Sequence, residues 1–316
     1  MAAETVVVTG GAGFIGAHTV QLLAGHGYHV VVVDDFSAGP PALPLPRSAE
    51  VLRLDVTRRD LGRVLAERVG HARGVIHLAA VVSVEAAARR PLRTVEVNVL
   101  GTASALAAAE ALGASVFVYA SSAAVYGEPR TIPIPETHPT RPRSLYGDTK
   151  LMGEMLAERW SERGLRVVAL RYFNVYGPGM RPGPYAGVVL RFAEALLRGR
   201  SPVIYGDGRQ TRDFVYVEDV ARANLLALER EEARGAINIG TGVETSINKL
   251  YELMCSLVGR CPPPRYAPPR PGDVRRSAAD TERARRLLGW QPRTTLREGL
   301  EKTIEYVRER LRAHNS

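Results

Sequence analysis

Residues 5–16 read TVVVTGGAGFIG, a β-branched run that breaks into glycines and resumes as the start of a helical pattern. Valines without polar alternation suit a strand buried on both faces, as in a parallel sheet. Gly10, Gly13 and Gly16 give a G-x-x-G-x-x-G spacing. Their absent side chains permit a tight turn, let the backbone approach a pyrophosphate and let the helix pack on the strand. Phosphates would then sit at the positive end of the helix. Glycine spacing alone also fits an ordinary turn, but the next strand, HVVVVDD, ends in Asp34, where a carboxylate can bond the adenosine ribose. No arginine follows within DDFSAG, so a 2′-phosphate would meet repulsion, and NAD is expected over NADP. Asp55, read as the end of a third strand in LDV, is placed to reach adenine.

Outward from this loop, VLRLDV, GVIHLAA, SVFVYASS and LRVVALRYFN alternate with amphipathic stretches at 15–26, 59–69 and 94–112. Strands alternating with helices predict an α/β fold of Rossmann type, a doubly wound parallel sheet. From residue 177 the texture changes. GPGMRPGP and CPPPRYAPPRPGD read as loops, with helices expected at 217–230, 246–258 and 296–311. The expected organisation is an NAD-binding domain over 1–172, to which the chain returns near 207–242, and a smaller α/β substrate domain over 173–316.

The 316 residues are 45% hydrophobic and 24% charged, ordinary values for a soluble globular chain. MAAETVVVTG has no basic segment and reads as no signal peptide. The uncharged run at 111–127 contains glycine, serines and tyrosines and is not a membrane span. Cys255 and Cys261 have no zinc or redox spacing and read as two sporadic thiols suited to a reducing cytoplasm, although a bridge between them is not readable from sequence. No metal site is expected. The net charge of +9 comes from dispersed arginines with no basic block, so a solvated surface that attracts an anionic small molecule is expected, and nucleic acid is not.

Lysine is rare here: only Lys150, Lys249 and Lys302 occur. Lys150 closes SLYGDTK, four residues after Tyr146, so the two share one face of a predicted helix. Such a pair is common on helices, but it also suits proton transfer. A free tyrosine, with a pKa of about 10, is a poor base at neutral pH, and lowering it by ~3 requires about 4 kcal/mol. A neighbouring ammonium favours the phenolate, as would a positive nicotinamide. Compact lysine can also bond a ribose hydroxyl, which the rigid arginine fork does less well. Ser122, in YASSAAVYG after the fifth strand, falls at the carboxyl end of the sheet, where doubly wound folds bind ligands.

Together TGGAGFIG, SSAAVYG, YGDTK, RYFNVYGP and TRDFVYVEDVA resemble the extended short-chain dehydrogenase/reductase family, in its nucleotide-sugar epimerase/dehydratase branch, over nearly the whole chain. The resemblance implies NAD as a tightly held cofactor, a UDP-hexose as substrate, and reversible 4-epimerisation through a transient 4-keto sugar. It also implies a homodimer formed through the helix of Tyr146. It assigns Tyr146 as base, Lys150 as its partner and a ligand of the nicotinamide ribose, and Ser122 as a hydroxyl contact. On the cofactor side it adds Phe14 and Ile15 to the glycine loop, with Asp35 beside Asp34 and Val56 beside Asp55. Leu78, Ala79, Ala80, Asn98, Ser121 and Tyr172 complete that side. For the substrate it implies Asn174, Val188, Arg212, Arg270 and Asp273.

Ser277, in RPGDVRRSAAD, falls where hexose-restricted relatives carry a tyrosine against sugar C2, so room for an N-acetyl group is expected. Two departures accompany the resemblance. Val81 and Val82 stand where some members carry a lysine. Ala123 and Ala124 follow Ser122 where dehydratases and decarboxylases place an acid, which favours epimerisation without elimination. An epimerase for UDP-glucuronate or another nucleotide sugar is the nearest rival. A non-catalytic RNA-binding member is the rival of a different class.

Overall fold

The computed structural model describes residues 3–183, 186–270 and 272–313. Pro184 and Pro271, within the two expected loops, lie outside them. The strands are β1 (Thr5–Thr9), β2 (His29–Asp34), β3 (Glu50–Arg53), β4 (Gly74–His77), β5 (Val116–Ser122), β6 (Arg166–Tyr172), β7 (Asn174–Tyr176), β8 (Val203–Tyr205), β9 (Thr211–Arg212), β10 (Phe214–Tyr216), β11 (Gly235–Ile239), β12 (Thr245–Ser246) and β13 (Arg265–Ala267). The helices are α1 (Phe14–Gly25), α2 (Leu61–Val69), α3 (Val84–Arg89), α4 (Pro91–Val95), α5 (Gly101–Ala111), α6 (Leu145–Ser161), α7 (Val188–Leu197), α8 (Val217–Glu229), α9 (Ile247–Val258), α10 (Glu282–Leu288) and α11 (Leu296–Ala313).

Seven strands form one parallel sheet in the order β11-β6-β5-β4-β1-β2-β3. This is the doubly wound arrangement that the strand–helix alternation predicts. Its valines lack polar alternation because both faces are covered. Val6, Val8, Val30 and Val32 pack with Leu23 of α1 and Val220 and Ala223 of α8. Val7, Val31 and Val33 pack on the other side with Leu61 and Leu65 of α2, Leu106 of α5 and Ala157 of α6. Burying each such side chain contributes about 1.5–3 kcal/mol.

Two local expectations differ. The third strand ends at Arg53, and Asp55 lies in the following turn. There its Oδ1 accepts from the Thr57 N–H at 2.9 Å and the Thr57 hydroxyl at 2.8 Å. An aspartate that bonds the backbone two residues on favours a turn over a ladder. The amphipathic stretch from 94 is also not one helix: a π-helical segment, Glu96–Leu100, joins α4 to α5. Such insertions often occur at functional sites.

The second layer of structure gathers α7, α9 and α11 around Leu190, Phe192, Tyr251, Met254, Leu300 and Ile304. Three short pairs, β7–β10, β9–β12 and β8–β13, position its loops. Cys255 and Cys261 form a disulfide, which corrects the reading of two sporadic thiols. The proline-rich loop after α9 turns back on the helix and brings the two cysteines together, a geometry that sequence spacing alone does not reveal. Among the described residues, no helix is long and apolar enough to cross a membrane.

Candidate active site

Between β1 and α1 the chain passes through Gly10 at φ +69°, where a Cβ would stand 2.6 Å from the Ala79 nitrogen. A Cβ on Gly16 would strike the Gly10 carbonyl. The cradle is therefore too narrow for side chains at both positions, as close backbone approach to a ligand requires. Phe14 and Ile15 open α1 just beyond it. Asp34 ends β2 and is held by the Ala12 N–H at 3.0 Å and the Phe36 N–H at 2.9 Å. A carboxylate has about four acceptor positions, so capacity remains for a ribose hydroxyl.

Asp35 accepts from the Ser37 N–H and hydroxyl. Arg93 of α4 reaches Asp55 at 2.7 Å and Asp35 at 3.7 Å. Burial pushes the Asp55 carboxyl up, but the Thr57 and Arg93 hydrogen bonds outweigh it and hold the group below its ordinary value. No arginine lies within DDFSAG itself, but the fold supplies one from 58 residues beyond Asp35, a separation no local motif reveals. Its charge is shared among Asp55, Asp35 and Glu96, so it is already compensated. Val56 is buried in the core beside them.

Leu78, Ala79 and Ala80 follow β4 and pass close to the glycine turn; the Leu78 N–H bonds the Thr9 carbonyl at 3.0 Å. Asn98, in the π segment, is buried and accepts from the Val81 N–H at 2.7 Å. Its amide donates to the Val81 carbonyl at 3.1 Å and to Thr149 Oγ1 at 2.9 Å. It pins this loop to α6. Thr149 carries half of that pin and was passed over in the sequence, where it lies inside YGDTK between the two conspicuous residues.

At the carboxyl end of β5, Ser122 Oγ accepts from the Ala124 N–H at 3.2 Å, and its hydroxyl is near enough to Tyr146 to act on the phenol's pKa. Ser144 caps α6 by accepting from the Gly147 N–H at 3.2 Å, and this fixes where Tyr146 begins its turn. Lys150 is only 4% exposed. Its Nζ donates to the Ala120 carbonyl at 2.7 Å and lies 6.0 Å from the Tyr146 ring centroid and 5.2 Å from that of Tyr119. Serine, tyrosine and lysine therefore meet, as the spacing predicts.

Their electrostatics differ from expectation. Burial raises the Tyr146 phenol, and the neighbouring Ser122 hydroxyl only partly offsets this. Burial also pushes Lys150 down to about 7, with Glu154 pulling the other way. A low-polarity setting disfavours both charged forms, so these two side chains alone do not produce a standing phenolate.

Behind the trio lies a buried polar network. Glu154, one turn beyond Lys150, takes a bidentate pair from Arg171 at 2.9 and 2.7 Å and a hydrogen bond from Ser121. Arg171 also donates to the Tyr126 hydroxyl at 2.9 Å, which in turn bonds Asn238 at 2.7 Å. Tyr172 is buried, and its hydroxyl bonds Asn224 at 2.5 Å, tying β6 to α8. Its side chain is thus engaged in the helix layer.

On the substrate side, Asn174 is exposed on β7 and Val188 is the first residue of α7. Arg212 donates to the Val274 carbonyl at 2.9 Å and pairs with Asp273. Arg270 pairs with Glu85 of α3 at 2.5 Å, which joins the segment after β13 to the helix that follows β4. Ser277 is 7% exposed. Asp213 escaped the sequence reading although it adjoins Arg212. It accepts from Thr241, Gly242 and Ala279 at 2.6–3.0 Å and so ties two separate loops to its own segment. Burial nevertheless raises its pKa.

The profile of the NAD dependent epimerase/dehydratase family matches residues 6–240. A UDP-glucose 4-epimerase of Mycolicibacterium smegmatis is 39% identical over 310 residues, covering 96% of this chain and 98% of its own. The crystal structure of a UDP-glucose 4-epimerase with UDP-glucose from Thermotoga maritima is 41% identical and superposes with a TM-score of 0.92, covering 98% of this chain and 100% of that one. A UDP-N-acetylglucosamine 4-epimerase from Methanobrevibacter ruminantium, in complex with UDP-N-acetylmuramic acid, is 34% identical with a TM-score of 0.91, at 98% and 100% coverage.

Proposed function

This chain belongs to the NAD dependent epimerase/dehydratase family, and we propose that it is a UDP-hexose 4-epimerase interconverting UDP-galactose and UDP-glucose. The observation that carries this reading is the Ser122–Tyr146–Lys150 trio followed by a 3-10 turn whose first residues are alanines. Eliminating water or removing a ring proton needs a second acid or base. Ala123 and Ala124 offer none, and Glu154, bonded to the adjacent Ser121, is already engaged by Arg171.

The glycine cradle and Asp34 suit the pyrophosphate and adenosine ribose of NAD. When protonated, Lys150 has three donors and gives one to Ala120, leaving two for hydroxyls of the nicotinamide ribose. When bound, NAD supplies a hydride acceptor that returns the hydride in the same site, and its positive ring favours the phenolate that burial opposes. Tyr146 Oη then takes the proton from the sugar 4-hydroxyl and later gives it back. Ser122, beside Tyr146, would hold that hydroxyl in line. Arg212, Arg270 and Asp273 would hold the nucleotide, with arginine suited to phosphate by its two parallel donors.

Ser277 favours a broader reading that includes N-acetylated UDP-hexoses, since a serine there leaves room at C2. UDP-glucuronate stays the nearest alternative substrate. The intact trio argues against a non-catalytic RNA-binding role. A homodimer is proposed through α4, the π segment and α6, where Leu92 is 80% and Met155 60% exposed, with Val95, Leu100 and Met152 also exposed nearby. Burying such a patch is the usual reason for its existence. The deciding experiment incubates the purified protein with UDP-glucose, UDP-galactose, their N-acetylated counterparts and UDP-glucuronate, and follows epimer formation by NMR. Turnover of UDP-glucuronate alone would end the UDP-hexose reading.

A further inference from the structure

The loop that leaves β7 for α7 reaches across to the cofactor side of the molecule. Arg181, in the stretch GPGMRPGP that reads only as a loop, sends its guanidinium to backbone carbonyls of two other segments. Nη1 donates to the Ala38 carbonyl at 2.6 Å. Nη2 donates to the Pro40 carbonyl at 2.6 Å and to the Ala12 carbonyl at 3.3 Å. Ala12 lies in the glycine turn, whereas Ala38 and Pro40 follow β2 and Asp34. Two further contacts seat the loop. His18 Nε2 of α1 donates to the Pro178 carbonyl at 2.9 Å. Gly179, at φ +88°, lies so close that a Cβ there would stand 3.4 Å from Leu43 and 3.5 Å from Phe14.

These bonds converge on Ala12. Its N–H donates to Asp34, the carboxylate placed for the adenosine ribose, while its carbonyl accepts from Arg181 and from the Ala42 N–H at 2.9 Å. Segment 36–42 has no helix or strand to order it. Fixing each such residue costs about 1–2 kcal/mol of conformational entropy. A planar guanidinium fork holds several carbonyls in one geometry, which a single point donor does not. Walls that are set before a ligand arrives leave less order to be lost on binding.

We propose that Arg181 is a positioning residue of the NAD site. By joining the glycine turn to segment 36–42, it holds both walls of the end that takes adenosine and pyrophosphate, although it belongs to the loop between β7 and α7. The nicotinamide end is left to Tyr146 and Lys150. The proposal rests on NAD as the cofactor and is independent of which nucleotide sugar is turned over.

The test titrates NAD, and ADP-ribose as the part of it that lacks nicotinamide, into the full-length protein freed of bound nucleotide, by calorimetry. Arg181→Met is expected to weaken both ligands by about tenfold or more, the scale for lost hydrogen bonds from a charged donor, with an unchanged circular dichroism spectrum. Arg181→Lys keeps the charge without the fork and should recover only part of the loss, staying about threefold or more weaker than wild type. Should Arg181→Met not fold, Arg181→Lys decides with the same two ligands. Lower stability in urea with unchanged affinity marks a purely structural contact and overturns the proposal. Wild-type affinity in Arg181→Lys overturns it as well, because charge alone then suffices. NAD weakened with ADP-ribose unaffected also overturns it and moves the effect to the nicotinamide end.

Discussion

Replacing Lys150 with methionine should remove a pH dependence of stability from the cofactor-stripped protein. Burial depresses this lysine from its ordinary 10.5 to about 7. At about 1.4 kcal/mol per pH unit, the charged lysine costs the fold about 5 kcal/mol at low pH. The sign follows from proton counts. Between pH 7 and 10.5 the unfolded chain holds the proton and the folded chain has released it, so stability rises with pH across that window. From pH 6 to pH 9 the gain attributable to Lys150 is about 3 kcal/mol.

Methionine has a similar length and no charge. It leaves the Ala120 carbonyl without this donor, at a cost of about 1–3 kcal/mol that does not vary with pH. The difference between pH values therefore isolates the lysine. His77, held down at about 3 by burial and Lys150, adds its own pH dependence near pH 6, where the unfolded histidine still binds a proton, but it is present in both proteins and largely cancels when they are compared. Urea unfolding at pH 6 and pH 9 gives the two stabilities for each protein. Equal pH dependence in wild type and Lys150→Met would refute the buried, depressed lysine.

Tyr146→Phe should lower kcat by about 10²- to 10⁴-fold while bound NAD, measured by absorbance after denaturation, stays near wild type. Ser277→Tyr is expected to reduce kcat/KM for UDP-N-acetylgalactosamine selectively and to spare UDP-galactose; equal effects on both would remove Ser277 from substrate choice. Glu154→Gln leaves Arg171 as a buried unpaired charge and should cost about 3–5 kcal/mol in urea unfolding. Leu92→Glu places a charge in the exposed apolar patch and should shift the protein towards monomer by light scattering, without loss of fold by circular dichroism.

Local pattern reaches as far as local physics does. Valine runs without alternation, the glycine turn at 10–16 and the Tyr146–Lys150 spacing each depend on residues within one strand or one helical turn, so sequence alone determined the sheet, the glycine turn and the meeting of Tyr146 with Lys150. The disulfide, the Arg93 clamp on Asp55 and the Glu85–Arg270 contact join residues that the chain order separates. The phenol's charge state belongs with them. Spacing shows that an ammonium is near Tyr146, but only the packed structure shows how completely both groups leave water. Burial acts on each charge through everything that surrounds it, and those surroundings come from β5, α6 and distant loops together. Tertiary structure therefore decided the electrostatics of a site whose members the sequence had already named.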